Sequence, residues 1–326
     1  MDNSSTTLLD LEPCSQSFLD EVIDGLEQSP KSLPCKYFYD QRGSQLFDQI
    51  CDLEEYYLTR TELQIMKDYA DEMAQQIGLG VMLVEYGSGS SVKTRLLLDH
   101  LEQMAGYVPV DISRKHLQET CDRLAQSYPD LEVLPVCADF TAEFALPVPS
   151  QPATHSAVYF PGSTIGNFPP AEAEKLLAQI ARLCGTGGGL LIGVDLQKDH
   201  QTLESAYDDA QGITAEFNLN LLRRMNREIE GDFKLEQFRH RARYNDQHGR
   251  VELFLESKVE QSISVSGREF WLDQGESICT EHSHKYTVQG FAQIAANAGL
   301  TLRKEWTDDE QRFAVMHFVK VAEEPS

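Results

Sequence analysis

Apolar and polar positions along the chain predict strands that alternate with helices over its central part. Short apolar runs read as buried strands, and each is followed by apolar residues at helical spacing. The predicted strands are Val81–Tyr86, Tyr107–Ser113, Leu131–Val136, Ala157–Phe160 and Leu190–Leu196. The predicted helices cover about Thr61–Ile77, the segment from the first strand to about Met104, Arg114–Ser127 and Ala171–Cys184. Such alternation favours an α/β fold with a doubly wound, Rossmann-like parallel sheet.

The pattern changes on either side of this alternation. Residues 1–30 predict a polar entry and an amphipathic helix, and residues 197–286 combine helical spacing with strand-like alternation. The tail returns to a helix at Thr287–Ala298. Two strands follow, Leu300–Trp306 and Phe313–Val321, of the kind that adds antiparallel edges to a mixed sheet.

Two domains are therefore expected in a chain of 326 residues, which is long enough for both. The sheet domain takes in residues 61–196 and 287–326. A second domain of mixed α and β structure is built from residues 1–60 and the insertion 197–286. Four tyrosines crowd the end of the N-terminal segment, which suggests that this domain binds something.

Composition narrows the class of protein. Hydrophobic residues make up 41% of the chain and charged residues 25%, as in ordinary globular proteins. The net charge of −24 repels nucleic acid and anionic lipid. No apolar run is long enough to span a bilayer, and acids stand where a signal peptide is basic or apolar. We expect a cytoplasmic monomer that binds a small molecule, without nucleic-acid or membrane partners. The seven scattered cysteines indicate neither a disulfide framework nor a zinc knuckle.

The first candidate site follows the first strand. Glu85 closes that strand, Gly87 and Gly89 form a Gly-x-Gly turn, and Lys93 stands in the helix that follows. Glycines allow a ligand to approach the backbone, and the first N–H groups of a helix point at it. A dinucleotide fingerprint would have a third glycine where Val92 stands, and a Walker loop would have glycine directly before its lysine. Neither pattern is complete.

Acids also close the next two strands. Asp111 ends the second strand about 20 residues beyond the turn, where nucleotide sites hold a ribose, and Asp139 with Phe140 follows the third. The set resembles the class I S-adenosylmethionine methyltransferases. That resemblance implies S-adenosylmethionine as the methyl donor, with its carboxylate near the amides of Gly87 and near Lys93. It also implies that Asp111 binds the ribose, and that Asp139 and Phe140 bind the adenine.

Longer sequence motifs make the resemblance specific to one family of methyltransferases. They are Lys36-Tyr-Phe-Tyr-Asp40, Gly43-Ser44, Glu55-Tyr-Tyr57, Thr59-Arg-Thr-Glu62, Gly162-Ser-Thr-Ile-Gly-Asn167, Ala206-Tyr-Asp-Asp-Ala210, Phe217-Asn218 and Thr280-Glu281 with Ser283. Over nearly the whole chain they resemble the L-histidine Nα-methyltransferases of ergothioneine biosynthesis. The resemblance implies three successive methyl transfers to the α-amine of L-histidine. The product would be hercynine, and no metal would be needed.

The resemblance also implies roles for single residues. Three residues would be catalytic. Tyr39 would lie near the methionine portion of the donor, and Tyr56 and Asn167 would hold the amine. The other substrate residues would be Tyr207 at the carboxylate, Gly162 and Thr214 along the pocket, Leu253 at the ring, and Glu281 and Ser283 at the imidazole nitrogens. Leu253 stands in Arg250-Val-Glu-Leu253 where the family often has methionine.

The residue types around Glu281 fit this chemistry independently. In an extended segment Glu281 and Ser283 share one face, and His282 and His284 share the other. A carboxylate and a hydroxyl can bind the two nitrogens of an imidazole. A His-x-His metal pair at His282 and His284 is the competing interpretation, although the spacing identifies no third ligand. Nα-methylation of another aromatic amino acid such as tryptophan, and an inactive cofactor-binding regulatory partner, also stay open.

Overall fold

A computed structural model of the chain describes residues 8–11, 15–89 and 92–321. The strands in this part are β1 (Leu9–Leu11), β2 (Val81–Tyr86), β3 (Gly106–Asp111), β4 (Val136–Ala138), β5 (His155–Phe160), β6 (Gly189–Asp195), β7 (Phe238–Asn245), β8 (Arg250–Ser257), β9 (Gln261–Val265), β10 (Arg268–Leu272), β11 (Ser277–His284), β12 (Thr301–Thr307) and β13 (Phe313–Val319). The α-helices are α1 (Ser15–Glu27), α2 (Gln41–Cys51), α3 (Tyr57–Ile77), α4 (Val92–Leu98), α5 (Arg114–Ser127), α6 (Pro170–Cys184), α7 (His200–Ser205), α8 (Ile213–Glu228) and α9 (Val288–Asn297). Short 3-10 helices lie at Cys35–Phe38, Thr164–Asn167 and Leu235–Gln237.

Eight strands form one mixed sheet in the order β1-β4-β3-β2-β5-β6-β13-β12. The strands from β1 to β6 in this order pair in parallel, whereas β13 and β12 pair antiparallel. The predicted α/β fold with antiparallel C-terminal strands is therefore confirmed. Every residue of β2 is buried, as expected for a central strand covered on both faces.

Most predicted elements lie within a few residues of their observed bounds, but two differ from the structure by more. The third strand, expected over Leu131–Val136, is wrong: β4 begins only at Val136, because Pro135 has no N–H to give to a ladder. The helix expected to reach Met104 ends at Leu98. Gln103 has a φ of 54°, which a helix does not allow.

The chain divides into two compact units. Unit 1 comprises Met1–Glu12, Leu58–Gln197 and Lys285–Ser326, and unit 2 comprises Pro13–Tyr57 and Lys198–His284. The N-terminal strand β1 thus falls in unit 1, whereas the sequence analysis placed residues 1–60 together in the second domain. The physical reason is the parallel pairing of β1 with β4, a contact distant in sequence.

Unit 2 has an antiparallel sheet of its own, in the order β11-β8-β7, and a separate hairpin of β9 and β10. Residues in register across an antiparallel pair lie on the same face. Glu281 pairs with Leu253, and Leu253 pairs with Ala242, so these three side chains share one face. A bulge between Cys279 and Glu281 shifts the register at the start of this face.

Within unit 1, a buried ion pair joins the end of β6, where the chain leaves the sheet, to the segment in which the chain returns. Lys285 Nζ lies 2.8 Å from the carboxylate of Asp195, and both side chains are fully buried. Backbone bonds run beside this pair, from Tyr286 to Asp195 at 3.0 Å and from Gln197 to Tyr286 at 2.9 Å. The last residue of β6 and the returning chain are thereby held together by charge and by hydrogen bonds.

Replacing Lys285 by Met should lower the free energy of unfolding by about 3–5 kcal/mol, because a buried carboxylate then loses its compensating charge. Lys304→Met is the matched control in the same unit, since Lys304 pairs with Glu72 at the surface. Urea unfolding followed by circular dichroism measures both. Equal, small losses in the two variants would contradict the structural role of the buried pair.

Candidate functional site

The Gly-x-Gly turn follows β2, the strand at which the order of the sheet reverses. From β2 the chain proceeds outward to β3 on one side and to β5 on the other. Ligands of such sheets bind beyond the carboxyl ends of the strands at this switch point. Gly87 has a φ of 71° and Gly89 a φ of 44°, a left-handed backbone that favours glycine. A Cβ on Gly87 would meet nothing within 4 Å, so there is open space beside the turn.

Glu85 makes its hydrogen bonds in the interior of unit 1. Its carboxylate accepts hydrogen bonds from the hydroxyls of Thr94 and Tyr107, and its side chain is buried. Burial raises the pKa of Glu85 to about 8, although the two hydroxyls act in the opposite direction. The acid that closes the first strand therefore fastens α4 and β3 to β2.

Asp111 shapes the glycine turn. One oxygen accepts from the amide of Ser113 at 2.8 Å, and the other accepts from the amide of Gly89 at 3.3 Å. Burial raises the pKa of Asp111, and these amides act against that shift. A carboxylate can accept about four hydrogen bonds. Asp111 can therefore hold the turn and still accept from the two hydroxyls of a ribose, the role predicted for it.

Asp139 and Phe140 follow β4, as predicted. Asp139 Oδ1 accepts from the amide of Thr141 at 3.0 Å and from its hydroxyl at 2.6 Å. The ring of Phe140 stacks on Tyr86, with centroids 5.0 Å apart and planes at 15°, and it makes T-shaped contacts with Phe160 and Phe168. One face of Phe140 is thus covered by Tyr86. A purine can stack only on the opposite face.

Lys93 is paired with a buried acid to which the sequence analysis gave no role. Lys93 Nζ donates to Glu62 at 2.5 Å, and the amide of Gly162 donates to the same carboxylate at 3.0 Å. A Cβ at Gly193 would lie 2.2 Å from Glu62 Oε1, so only glycine leaves room for this acid. Glu62 connects a predicted donor residue with a predicted pocket residue. The charge of Lys93 is compensated by it.

The sequence pattern around Glu62 indicates that this acid is buried. Leu58, Ile65 and Met66 are buried four residues before and three and four residues after it, on the same face of α3. An acid at an apolar position of an amphipathic helix requires a buried partner. The pattern indicates such a site but does not name Lys93 or Gly162.

The loop after β5 carries Gly162 and Asn167. Ser163 has a left-handed φ of 58°, and its hydroxyl accepts from the amide of Asp195 at 2.9 Å. Asn167 ends the 3-10 helix that follows and is half-buried. The loop that carries Gly162, predicted along the pocket, and Asn167, predicted at the amine, is thus held at Ser163 by the carboxyl end of the neighbouring strand β6.

In unit 2, the predicted tyrosines come together with Ser283. The hydroxyl of Tyr207 lies 2.8 Å from Ser283 Oγ, and the rings of Tyr56 and Tyr207 meet edge to face at 6.0 Å. Burial raises the pKa of Tyr56 well above its usual range, and nearby Tyr207, Tyr39 and Glu281 add to this. The phenol of Tyr56 therefore stays neutral.

Tyr39 stands at the edge of this group. Its half-buried ring meets Phe47 and Phe217 edge to face, at 5.6 and 5.7 Å. Thr214 lies in the first turn of α8, buried, with its amide donating to Asp209 at 2.7 Å. The predicted substrate residues of unit 2 thus lie on its sheet, on α8, in the segment between α7 and α8, and in the aromatic segment.

The strand β11 shows the alternation that its sequence predicts. Glu281 and Ser283 pair with Leu253 and Val251 on one face, whereas His282 pairs with Glu252 on the other. Leu253 is buried directly opposite Glu281. A carboxylate, a hydroxyl and an apolar side chain therefore share one face of this sheet.

The histidines of the opposite face lie close to each other. The rings of His282 and His284 are 6.1 Å apart, and His282 Nε2 lies 3.3 Å from Cys279 Sγ. Burial lowers the pKa of His282 to about 4. Among the described residues, no group of three or more His, Cys, Asp or Glu side chains is placed to hold a metal ion.

A family model decides the class of protein. The model described as "Histidine-specific methyltransferase, SAM-dependent" matches residues 18–320. The chain belongs to this family. The enzyme is thus an S-adenosylmethionine-dependent N-methyltransferase, and the family predicted from its sequence is confirmed. No helix in the described part of the enzyme is long and apolar enough to cross a membrane.

Single relatives agree with the family. The enzyme is 38% identical to a histidine N-alpha-methyltransferase of Mycolicibacterium smegmatis, over 96% of this chain and 98% of that protein. It is 32% identical to ergothioneine biosynthesis protein 1 of Neurospora crassa, over 86% of this chain and 32% of that protein. A solved S-adenosylmethionine-dependent methyltransferase from Clostridium acetobutylicum shares the fold, with a TM-score of 0.50 at 11% identity, over 85% of this chain and 98% of that one.

The raised pKa of Glu85 predicts how stability depends on pH. The folded protein holds a proton on Glu85 up to about pH 8, whereas the ordinary value is 4.5. The folded state therefore binds more protons between these values, and the contribution of Glu85 to stability falls as pH rises through this window. Urea unfolding between pH 5 and about pH 8 should show a flatter profile for Glu85→Gln than for the wild type. Identical slopes would contradict the assignment.

Proposed function

We propose that the enzyme transfers three methyl groups in succession from S-adenosylmethionine to the α-amine of L-histidine. The product is hercynine, and the reaction is the first step of ergothioneine biosynthesis. The observation that carries the proposal is the face of β8 and β11 on which Glu281, Ser283 and Leu253 stand together. The family and the names of its relatives support the same substrate.

This face suits a neutral imidazole. Such a ring has one N–H and one acceptor nitrogen. Glu281 accepts from the N–H, and Ser283 donates to the other nitrogen. The 2.8 Å contact between Tyr207 and Ser283 supports this polarity, because the phenol can donate to Ser283 and leave the serine proton for the ring. Leu253 packs on the ring itself.

The amine needs its lone pair for the reaction. The nitrogen attacks the methyl carbon, the bond from that carbon to sulfur breaks, and the sulfonium becomes a thioether. Each N–H proton that the amine loses passes to solvent. Tyr56 and Asn167 hold the amine, and Tyr39 lies near the methionine portion of the donor. Because Tyr56 remains a neutral phenol, it orients the amine without favouring the ammonium form.

The residues proposed for the methyl donor in unit 1 follow the ends of its parallel strands. We assign the carboxylate of the donor to the amides of the turn at Gly87, with Lys93 beside it. Asp111 accepts from the ribose hydroxyls, and Asp139 with Phe140 binds the adenine. Bound S-adenosylmethionine supplies an electrophilic methyl group, and the work of these residues is to orient it.

Product masses test the proposal. The purified enzyme is incubated with S-adenosylmethionine and each amino acid separately. Histidine should gain one, two and then three methyl groups. If another amino acid such as tryptophan is methylated and histidine is not, the proposed substrate is wrong. If no amino acid is methylated although the donor binds, the protein is a regulatory partner rather than a histidine methyltransferase.

Glu281→Gln should weaken histidine binding by about 10- to 100-fold, because a hydrogen bond to a charged group contributes about 1.5–3 kcal/mol. Glu269→Gln is the matched control: it makes the same change at an exposed position of β10. Calorimetric titration with histidine measures both variants. Unchanged affinity in Glu281→Gln would exclude Glu281 from the ring site.

Asp111→Asn should weaken binding of the donor product S-adenosylhomocysteine by about tenfold or more, because an amide offers a single acceptor oxygen where the carboxylate offers two. The control is Asp130→Asn, at an exposed position of the same unit. Equal dissociation constants in the two variants would remove Asp111 from the donor site.

From the sequence alone, we also propose that the enzyme is cytoplasmic and monomeric. Light scattering of the purified chain measures the second directly, against the mass of 36.8 kDa.

A further inference from the structure

A chain of hydrogen bonds, most of them part-buried, leads from α8 to two of the proposed substrate residues. Asn218 Nδ2 lies 2.9 Å from His240 Nδ1 and 3.2 Å from the carbonyl of Phe254. His240 Nε2 lies 2.8 Å from the carbonyl of Tyr207. The hydroxyl of Tyr207 then lies 2.8 Å from Ser283 Oγ. The sequence motifs imply no role for Asn218 or His240.

The partners determine where each proton lies. The carbonyl of Phe254 can only accept, so the atom of Asn218 that faces it is the amide nitrogen, a donor. The same nitrogen faces His240 Nδ1, which must therefore accept and carries no proton. The carbonyl of Tyr207 also can only accept, so His240 Nε2 carries the proton and donates it. The ring is held as one neutral tautomer.

The surroundings of His240 favour the neutral ring. Burial lowers its pKa, while Asp208 and Asp209 in the turn before α8 act in the opposite direction. The side chains that face it from the other packed elements, Asn218 on α8 and Leu255 in register on β8, carry no charge. A second proton on Nδ1 would point at the amide hydrogens of Asn218.

Tyr207 lies outside the helices of unit 2. It stands between the end of α7 and the start of α8, and its own amide donates to the carbonyl of Glu204 at 3.0 Å. The edge strand β7 holds Tyr207 through His240, and it holds the end of α7 through the amide of Tyr244, which donates to Glu204 Oε1 at 2.8 Å. The position of Tyr207 therefore depends on β7.

We infer that His240, fixed by Asn218 as the Nε2–H tautomer, is a positioning residue that sets Tyr207 and, through it, Ser283 for the amino-acid substrate. The inference rests on the proposed function for the substrate roles of Tyr207 and Ser283. The tautomer and the hold on the Tyr207 backbone rest on geometry alone.

The tautomer is measured first, on wild-type enzyme labelled with ¹⁵N-histidine. Long-range ¹H–¹⁵N correlation should show His240 with a protonated Nε2 and a bare Nδ1 at neutral pH. The spectrum of His240→Gln assigns the signal among the nine histidines. A proton on Nδ1, alone or in addition to Nε2, overturns the inference. In Asn218→Ala the pKa of His240 should rise, because a donor to the neutral ring is removed.

Kinetics separate positioning from general stability. His240→Phe removes the donor to Tyr207, whereas His240→Gln keeps an N–H group at about the position of Nε2. The KM for histidine should rise about tenfold in His240→Phe and largely recover in His240→Gln, with the KM for S-adenosylmethionine within about twofold. Asn226→Ala is the control on the same helix, since Asn226 bonds to the backbone of Phe233.

Wild-type kinetics for histidine in His240→Phe overturn the inference. So does an equal loss in all three variants, because it indicates damage to the fold. If the wild-type enzyme methylates no histidine, the proposed function fails. The inference is then decided by the tautomer and by the ring resonances of Tyr207, which should move in His240→Phe and stay in place in His240→Gln and Asn226→Ala.

Discussion

The buried ion pair of Asp195 and Lys285 holds the point at which the chain leaves its main sheet and returns. An uncompensated charge at that depth costs several kcal/mol, so the end of β6 and the returning chain stabilise each other. The amide of Asp195 also donates to Ser163. The loop that carries Gly162 and Asn167 is thereby fixed at the same place. One local arrangement of charge and hydrogen bonds thus supports both the insertion of unit 2 into the sequence and the proposed amine ligand in unit 1.

The buried acids near the ends of the parallel strands have different roles, and their hydrogen-bond partners decide which. Glu85 meets two hydroxyls in the interior, and burial favours its protonated form. Glu62, on the neighbouring helix, meets the ammonium of Lys93 and an amide, so it holds a charge pair together. Asp111 meets two amides and keeps lone pairs for a ligand. Burial alone does not distinguish the three acids. The donors around each carboxylate decide which one is available to bind the methyl donor.

The proposed substrate face of unit 2 is built mainly from neutral polar groups. Tyr56, Tyr207 and Ser283 offer hydroxyls, and His240 supports them as a neutral ring. In the proposed reaction, such groups would orient an amine that loses one N–H at each methylation, because none of them depends on a positive charge at the nitrogen. Glu281 is the acid on this face, placed by the register of β11 beside Leu253. Its carboxylate suits the N–H of a ring, which persists through every methyl transfer.

Local patterns in the sequence determined the parallel sheet, the acids at its strand ends and the shared face of Glu281 and Ser283, because periodicity reports which side of a segment is buried. The family resemblance added the substrate roles. The pairing of β1 with β4, the ion pair of Glu62 and the tautomer of His240 were decided only by the tertiary structure. Each of these depends on a partner far away in the chain. Sequence spacing shows that an acid or a histidine needs a partner, but only the fold brings the donor to it.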